Sequence, residues 1–193
     1  MLTHLLVCRW FWPRNDGTVY GQLCWSNASL VSFIAKKVKG FLRTQPNATI
    51  ISVSQNDNGL YCNDTAERAV MDAEGSPMGP LLRAVNTIAD AIKLEFPHVA
   101  VSTLAYRYTR PAPKITTPRS NVVVRLCSIE CNFAAPLTDP SNAKFLTDMN
   151  AWSAISNRTF IWNYITDFSA FVQPFPNYYV LGCEKRIFCV MLH

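Results

Sequence analysis

Four polar side chains follow directly after a run of β-branched residues in the first third of the chain. The alternation of Ile50–Ser54 is typical of a buried strand, and the next residues are Gln55, Asn56, Asp57 and Asn58. Buried amide and carboxylate side chains need hydrogen-bond partners, so packing in the core gives no reason for a strand to end in them. In β/α proteins, ligands are held at the carboxyl ends of strands. The run therefore indicates either part of a binding site or a polar turn before a loop.

Other predicted strands also end in groups that can do chemistry. Glu130 follows the third strand, and Tyr106 and Tyr108 end the second. The fourth strand ends in Trp162, Asn163 and Tyr164. If the strands are parallel, these side chains meet at one rim of the sheet. Aromatic faces stack on the apolar face of a pyranose and amides bond its hydroxyls, so the set suits a sugar. We expect sugar contacts from Gln55, Asn56, Asn58, Tyr106, Trp162 and Asn163.

The two carboxylates are the candidate catalytic residues. Cleavage of a glycosidic bond uses one carboxyl group as acid and a second as nucleophile or base, roles that Glu130 and Asp57 can fill. We expect their carboxyl groups to lie ~5–5.5 Å apart for a retaining reaction or ~6.5–9.5 Å apart for an inverting one. The alternative is that each carboxylate caps a helix. This explanation is less suited to both residues together, because neither Asp57 nor Glu130 is followed by a clean helical pattern.

The elements that would position these groups follow from apolar spacing. It predicts helices over Ala28–Leu42, Leu81–Phe96 and Asn142–Ile155, and strands over Ile50–Ser54, Val99–Tyr106, Val122–Cys127 and Thr159–Trp162. A fifth strand is expected near Val7–Phe11 or Tyr178–Leu181. Strands and helices mostly alternate, which favours the α/β class with a parallel sheet and crossover helices.

Composition narrows the class of protein. The chain has 193 residues, 49% hydrophobic and 16% charged, which is enough apolar mass for one core. The net charge of +5 has one cluster, in residues 107–119, and prolines interrupt it. This favours a solvated loop over a nucleic-acid interface. No apolar run approaches the ~20 residues that cross a membrane, so we expect no membrane insertion. Met1–Trp12 is a poor secretory signal, and the compartment stays open.

The cysteines and histidines give no metal site. Seven cysteines lack any Cys-x-x-Cys pair and only three histidines are present, so we expect neither a metal nor another cofactor. The odd number argues mildly against a complete disulfide framework. Cys127 and Cys131 flank the end of a strand, where we expect small buried thiols. Four Asn-x-Ser/Thr sequons begin at Asn27, Asn47, Asn63 and Asn157. They would matter only in a secreted protein.

Several ordered motifs resemble one family, the one called domain of unknown function 4838. They occupy residues 52–62, 74–83, 103–109, 124–131, 160–168 and 174–177, so the resemblance covers roughly residues 20 to 181. It implies a partial (β/α) TIM-type barrel of glycoside hydrolase-like character, with α-glucuronidase and β-hexosaminidase groups among its relatives. The resemblance implies carbohydrate processing more firmly than any particular substrate.

The chain departs from that family at two motifs. Family members usually continue the Tyr-Cys motif with two further cysteines, whereas only Cys62 is present here, so we do not expect a metal-bound or disulfide-pinned loop. The family's Trp-Asp-Tyr is here Trp162, Asn163 and Tyr164. An amide cannot act as a base, so any charge that the aspartate contributes is lost.

Size sets the expected domain organisation. A complete eight-stranded barrel needs ~250 residues, so we expect an incomplete barrel domain over residues 21–181. Residues 1–20 and 182–193 are expected to be divergent ends, and open barrel edges predict self-association. The leading interpretation is a glycoside hydrolase-like fragment that acts on or binds an oligosaccharide or amino sugar. The alternatives are a carbohydrate-binding or scaffold module without turnover and an inactive truncated product.

Overall fold

A computed structural model describes residues 21–164 of the chain and the backbone of residues 187–190. The helices are α1 (Ala28–Thr44), α2 (Thr65–Glu74), α3 (Met78–Lys93) and α4 (Ala143–Ile155). The strands are β1 (Ile50–Ser52), β2 (Ala100–Ala105), β3 (Val122–Cys127), β4 (Thr159–Trp162) and β5 (Ile187–Val190). Short 3₁₀ turns occupy Arg107–Thr109 and Pro140–Asn142.

The five strands form one parallel sheet in the order of the chain, β1-β2-β3-β4-β5. The register pairs Ser52 with Ser102, Leu104 with Arg125, and Cys127 with Trp162. Sequential parallel neighbours are the arrangement of a segment of a β/α barrel. The predicted α/β class, with parallel strands and crossover helices, is confirmed.

Apolar side chains cover one face of the sheet. Helix α3 packs against β2 and β3, and both α1 and α2 pack against α3. The strand residues on this face are buried in a single hydrophobic cluster, among them Val101, Val124, Leu126 and Ile161. This burial stabilises the sheet from the helix side and fixes which residues point the other way.

The second face of the sheet carries a different set of side chains. Ser52, Ser102, Arg125, Cys127 and Trp162 share this face by their register. Arg125 on β3 donates from Nη2 to Oγ of Ser52 on β1 at 2.7 Å, bridging across β2. The same face therefore holds polar groups close to the carboxyl ends of the strands.

The observed elements differ from the predicted ones in places that have local causes. Strand β1 ends at Ser52, and beyond it the Ser54 hydroxyl accepts from the amide of Leu104 at 3.2 Å in place of a backbone carbonyl. Helix α3 begins at Met78, three residues earlier than predicted, because a proline in the first turn costs no helical hydrogen bond. Strand β5 lies at neither predicted place, and both of those places lie outside the described residues.

Helix α2 is an element that apolar spacing did not reveal. Asp64 caps it by accepting from the amide of Glu67 at 2.7 Å, and Gly75 ends it with a φ of +60°. An acidic cap followed three residues later by Glu is a helix-start pattern, and it precedes a glycine at the far end. The sequence therefore carried a signal for each end of α2, the acidic cap at its start and the glycine at its end.

The expectation that no disulfide pins the loop after β1 is wrong. Cys24 and Cys62 form a disulfide with a Cα–Cα distance of 5.1 Å, and both residues are buried. The partner of Cys62 lies 38 residues earlier in the chain, before α1, rather than in the following loop. Sequence spacing cannot show such a pairing because only the fold brings the two segments together.

Among the helices in the described part of the chain, none combines the length and the apolar character that crossing a bilayer requires.

Candidate functional site

The candidate site lies where the first four strands end. The loops that leave β1, β2, β3 and β4 carry Asp57, Arg107, Glu130 and Tyr164, respectively. Because the strands are parallel, all four loops start from the same end of the sheet, where the strands have their carboxyl ends. We call this end of the sheet the carboxyl rim.

One group of interactions joins the ends of β1 and β2. The Nε of Arg107 donates to the Tyr106 hydroxyl at 2.8 Å, and its guanidinium lies 5.2 Å from the ring centroid of Tyr106. Burial raises the pKa of Tyr106, the hydrogen bond from Arg107 lowers it, and the neighbouring Asp57 carboxylate raises it. The structure thus brings Asp57 and Tyr106 together, with Arg107 beside them.

Arg107 has an unusual backbone for its type. Its φ is +51°, the one non-glycine residue of the described chain with a positive φ. The 3₁₀ turn that holds it is braced from within, because the Thr109 hydroxyl accepts from the amide of Tyr106 at 3.1 Å. A left-handed arginine costs about 1–2 kcal/mol. Such strain clusters at sites where a side chain must be aimed in a particular direction.

A second group of interactions joins β3 and β4 to the same acid. The pKa of the Cys127 thiol is raised to about 12, because the effect of burial outweighs a hydrogen bond with Tyr164 that lowers it. Burial also raises the pKa of Tyr164, and the neighbouring Cys127, Tyr106 and Asp57 raise it further. The Cys127 thiol is therefore unreactive at neutral pH. The expectation of a small buried thiol is confirmed for Cys127, whereas Cys131 is half-buried. Asp57, Cys127 and Tyr164 lie within electrostatic range of one another.

Glu130 is held by a buried arginine. Arg110 is 3% exposed and donates from Nη1 to Glu130 at 2.7 Å and from Nε to Asp148 of α4 at 2.6 Å. Its carbonyl accepts from the indole N–H of Trp152 at 2.7 Å. The Glu130 side chain is half-exposed. Arg110 therefore fixes the orientation of a carboxylate that solvent and ligands can reach, and it is not part of a solvated loop.

Three of the predicted sugar-binding amides contact the protein itself. Gln55 is 7% exposed and accepts through Oε1 from the Thr109 hydroxyl. Asn56 exchanges backbone hydrogen bonds with the Gln22 side chain at 2.8 and 3.0 Å, and the same side chain donates to Oδ1 of Asn58 at 2.9 Å. These contacts fix the end of β1 and the loop that carries Asp57.

The residues after β4 lie against the end of β3. Arg125 sits over the Trp162 ring, 4.9 Å from its centroid. Asn163 accepts through Oδ1 from the Ser128 hydroxyl at 3.0 Å. Both predicted residues are half-buried at the carboxyl rim.

The interpretation that Asp57 and Glu130 cap helices is not observed in the described residues. The carboxylates that accept from helix-start amides there belong to Asp64 and Asp139. Asp57 is instead exposed in the loop after β1.

Some residues at the carboxyl rim escaped the sequence reasoning. Arg107 and Arg125 were not candidates, although Arg107 lies just after β2 and Arg125 lies near the end of β3. Tyr61 was not a candidate either, whereas Tyr108 was among the residues expected at the strand ends. The two rings pair with centroids 5.6 Å apart, and the Tyr61 ring is 44% exposed. An aromatic residue next to a cysteine was the signal for Tyr61, but only the tertiary structure supplies Tyr108 as its support.

Two other features are less suited to the chemistry. Cys24, Cys62 and Asp64 place their ligand atoms within 4.8 Å of one another, but the two thiols are joined as a disulfide and offer no thiolate. A groove of about 460 Å³ lies at the amino ends of the strands, lined by Lys93, His98 and Arg158 among others. We place the site at the carboxyl rim because β/α folds bind ligands there.

The comparisons with known proteins give a single result. Residues 8–191 match a family described as a domain of unknown function, DUF4838. No curated protein and no solved structure matches the chain.

Proposed function

Since the chain belongs to the family described as domain of unknown function DUF4838, we propose that its carboxyl rim binds an oligosaccharide or amino sugar and cleaves a glycosidic bond. The observation that supports this most is that Asp57, Tyr106, Cys127 and Tyr164 lie at or just beyond the carboxyl ends of four successive parallel strands. The resemblance to glycoside hydrolase-like barrels supports the choice of a sugar as the ligand.

Glu130 is the proposed nucleophile or base. Arg110 binds its carboxylate at 2.7 Å, and Arg110 is itself anchored by Asp148 and Trp152. A nucleophile must keep one orientation toward the anomeric carbon, and a buried guanidinium supplies that restraint. Asp57 is the proposed acid that protonates the leaving oxygen, with the Tyr106 hydroxyl between it and Arg107.

The remaining candidate residues are assigned either to positioning the loop or to contacting the sugar. Gln55, Asn56 and Asn58 contact the protein itself, so we assign them the role of positioning the loop that carries Asp57. Trp162 and Asn163 stay as the proposed contacts on the β4 side. We add Tyr61, whose exposed ring is braced by Tyr108.

The second candidate function is a carbohydrate-binding or scaffold module without turnover. Asn163 supports it, because an amide stands where a carboxylate is usual in the family and it already accepts from Ser128. In this reading the carboxyl rim still holds a sugar, but Glu130 and Asp57 only bond its hydroxyls.

A panel of aryl glycosides, assayed with the chain and with Glu130→Gln and Asp57→Asn, separates the two functions. Cleavage by the chain that falls by ~10²–10⁴-fold in either variant is the expected result. Glu95→Gln is the matched control, because Glu95 is also ion-paired but lies before β2 at the opposite end of the sheet. Sugar binding without cleavage supports the second function, and neither binding nor cleavage contradicts both. Undiminished cleavage by Glu130→Gln contradicts the catalytic assignment.

A further inference from the structure

We propose that this protein folds in an oxidising secretory compartment and carries N-linked glycans on Asn47, Asn63 and Asn157. The inference is independent of the proposed function. It rests on the disulfide, on the exposure of three sequons and on where those sequons lie in the fold.

The disulfide is built into the described core of the fold. Cys24 and Cys62 are 8% and 1% exposed, and they join the segment before α1 to the loop before α2. Glu67 of α2 reinforces the same junction, because its buried carboxylate accepts from the amides of Trp25 at 3.1 Å and Ser26 at 2.7 Å. Structural disulfides form and persist in oxidising compartments and are rare in the cytosol.

Three of the four sequons present an exposed asparagine in a loop. Asn47, Asn63 and Asn157 are exposed, and each precedes an element rather than lying inside one. Asn27 is half-buried and its side chain caps α1, accepting from the amides of Ser29 at 3.0 Å and Leu30 at 3.2 Å. Asn27 is therefore not among the proposed acceptors.

Two of these sequons lie away from the carboxyl rim. Asn47 lies between α1 and β1, and Asn157 lies between α4 and β4. Both precede their strands, so their glycans project from the amino end of the sheet. Bulky, solubilising glycans at these two places are compatible with a ligand at the carboxyl rim. Asn63 lies in the loop that leaves β1, next to Cys62 and directly before the cap of α2.

The two covalent steps use reactants of that compartment. In the first, the Cys24 and Cys62 thiols give two electrons and two protons to a disulfide-bearing oxidoreductase, which is reduced to a dithiol. In the second, the asparagine Nδ2 forms a bond to the anomeric carbon of a lipid-linked oligosaccharide. The bond from that carbon to the lipid pyrophosphate breaks, the amide loses one proton, and the lipid pyrophosphate leaves.

The first test is to produce the full chain in a eukaryotic host behind a cleavable secretion leader. Treatment with peptide N-glycosidase should shift the secreted chain by three glycans, and the modified sites should map to Asn47, Asn63 and Asn157. The variant Thr49→Ala should lose one glycan, whereas the matched Thr49→Ser keeps the sequon and should lose none. A folded, secreted chain without glycans at these sites overturns the proposal.

The second test measures the thiols of the folded chain. Alkylation before reduction should leave Cys24 and Cys62 unlabelled, and reduction under denaturing conditions should expose both. Cys131 is the internal control, because it is a half-buried free thiol and should label without reduction. Labelling of Cys24 and Cys62 before reduction, or their protection only by a bound metal that a chelator removes, overturns the disulfide and the compartment inferred from it.

Discussion

At the scale of single residues, the carboxyl rim depends on side chains aimed by unusual or buried neighbours. Arg107 keeps a φ of +51°, and its Nε lies 2.8 Å from the Tyr106 hydroxyl. Arg110 is buried yet bridges Glu130 and Asp148. In both cases an arginine sets the position of a group proposed to act on the ligand. The effect of such an arginine on stability can be measured separately from its effect on activity.

Replacing Arg107 separates backbone strain from side-chain function. Arg107→Gly and Arg107→Ala both remove the guanidinium, so both should lower glycoside cleavage to a similar extent. Arg107→Gly should be ~0.5–1 kcal/mol more stable than Arg107→Ala, because glycine adopts a positive φ without the Cβ clash. Urea unfolding of the two variants measures the difference. Equal stabilities would mean that the left-handed backbone at this position is not strained.

Glu74 gives a prediction about pH. Burial alone would raise the pKa of this carboxyl, but hydrogen bonds from Thr116, Arg83 and Ile115 lower it to about 2 from the ordinary 4.5. A folded pKa below the unfolded one stabilises the protein above about pH 4.5, and that contribution is lost as pH falls toward 2. Chain unfolding measured between pH 7 and pH 2 should show this loss.

The variant Glu74→Gln isolates that contribution. It should be less stable than the parent chain at pH 7, and the gap should close as the pH approaches 2. A gap that stays constant across this range would show that the charge of Glu74 does not matter. Glu95→Gln is the control, since Glu95 is an exposed partner of Arg43 and its loss should change stability little.

At the scale of elements, the junction between α2 and α3 holds the long loop that follows β2. Glu74 is fully buried and accepts from the amides of Ile115 and Thr116, both at 2.9 Å. The Ser76 hydroxyl donates to the carbonyl of Pro111 at 2.6 Å. This loop contains Arg110, which binds Glu130, so the junction also supports the orientation of Glu130. The first residues of the motif at 74–83 therefore have a structural role.

Gly79 is required for that junction. A Cβ on Gly79 would lie 2.4 Å from Cγ of Glu74, which is anchored and cannot move away freely. Gly79→Ala should lower the free energy of unfolding by about 1–3 kcal/mol through overpacking. Gly40→Ala is the matched control, because Gly40 lies inside α1 with nothing within 4 Å of its Cβ position. That variant should gain roughly 0.5–1 kcal/mol, and thermal unfolding measures both.

Across the whole molecule, a disulfide and the packing of the parallel sheet both contribute to stability. The disulfide closes a loop with a sequence separation of 38 residues, whereas the sheet is held by neighbouring strands and by α3 on one face. The disulfide acts mainly on the unfolded chain, and the packing acts on the folded one. The two contributions can be measured separately.

Removing the disulfide should destabilise the chain. Cys24→Ser combined with Cys62→Ser should lower the free energy of unfolding by about 3–4 kcal/mol for a loop of this length. Reductant should lower the melting temperature of the parent chain but leave that of the double variant unchanged. A parent chain whose melting temperature ignores reductant would show that the link does not contribute.

Self-association through sheet edges stays a prediction. Ile50 on β1 is 52% exposed although it belongs to an alternating apolar strand. Exposed strand backbone and apolar side chains favour pairing with another copy. The melting temperature should therefore rise with protein concentration, and sedimentation should show species larger than a monomer. A sharp, concentration-independent transition of a monomer would contradict the prediction.

Apolar spacing in the sequence predicted most of the elements and the parallel direction of the strands, although not α2 or the position of β5. Strand β3 and strand β4 have the predicted bounds, and α1 and α4 differ by two residues or fewer, because their apolar periodicity decides which face is buried. Alternation of strands and helices was enough to predict a parallel sheet, since such a connection needs a crossover.

Which side chains meet depends on the tertiary structure. Three contacts join residues that lie far apart in the chain: the disulfide of Cys24 with Cys62, the hydrogen bond of Gln55 with Thr109, and the ion pair of Arg110 with Glu130. Periodicity reports on one element at a time, whereas these contacts depend on how neighbouring strands are registered and how loops are held. The polar residues after each strand could therefore be named from the sequence, but their partners could not.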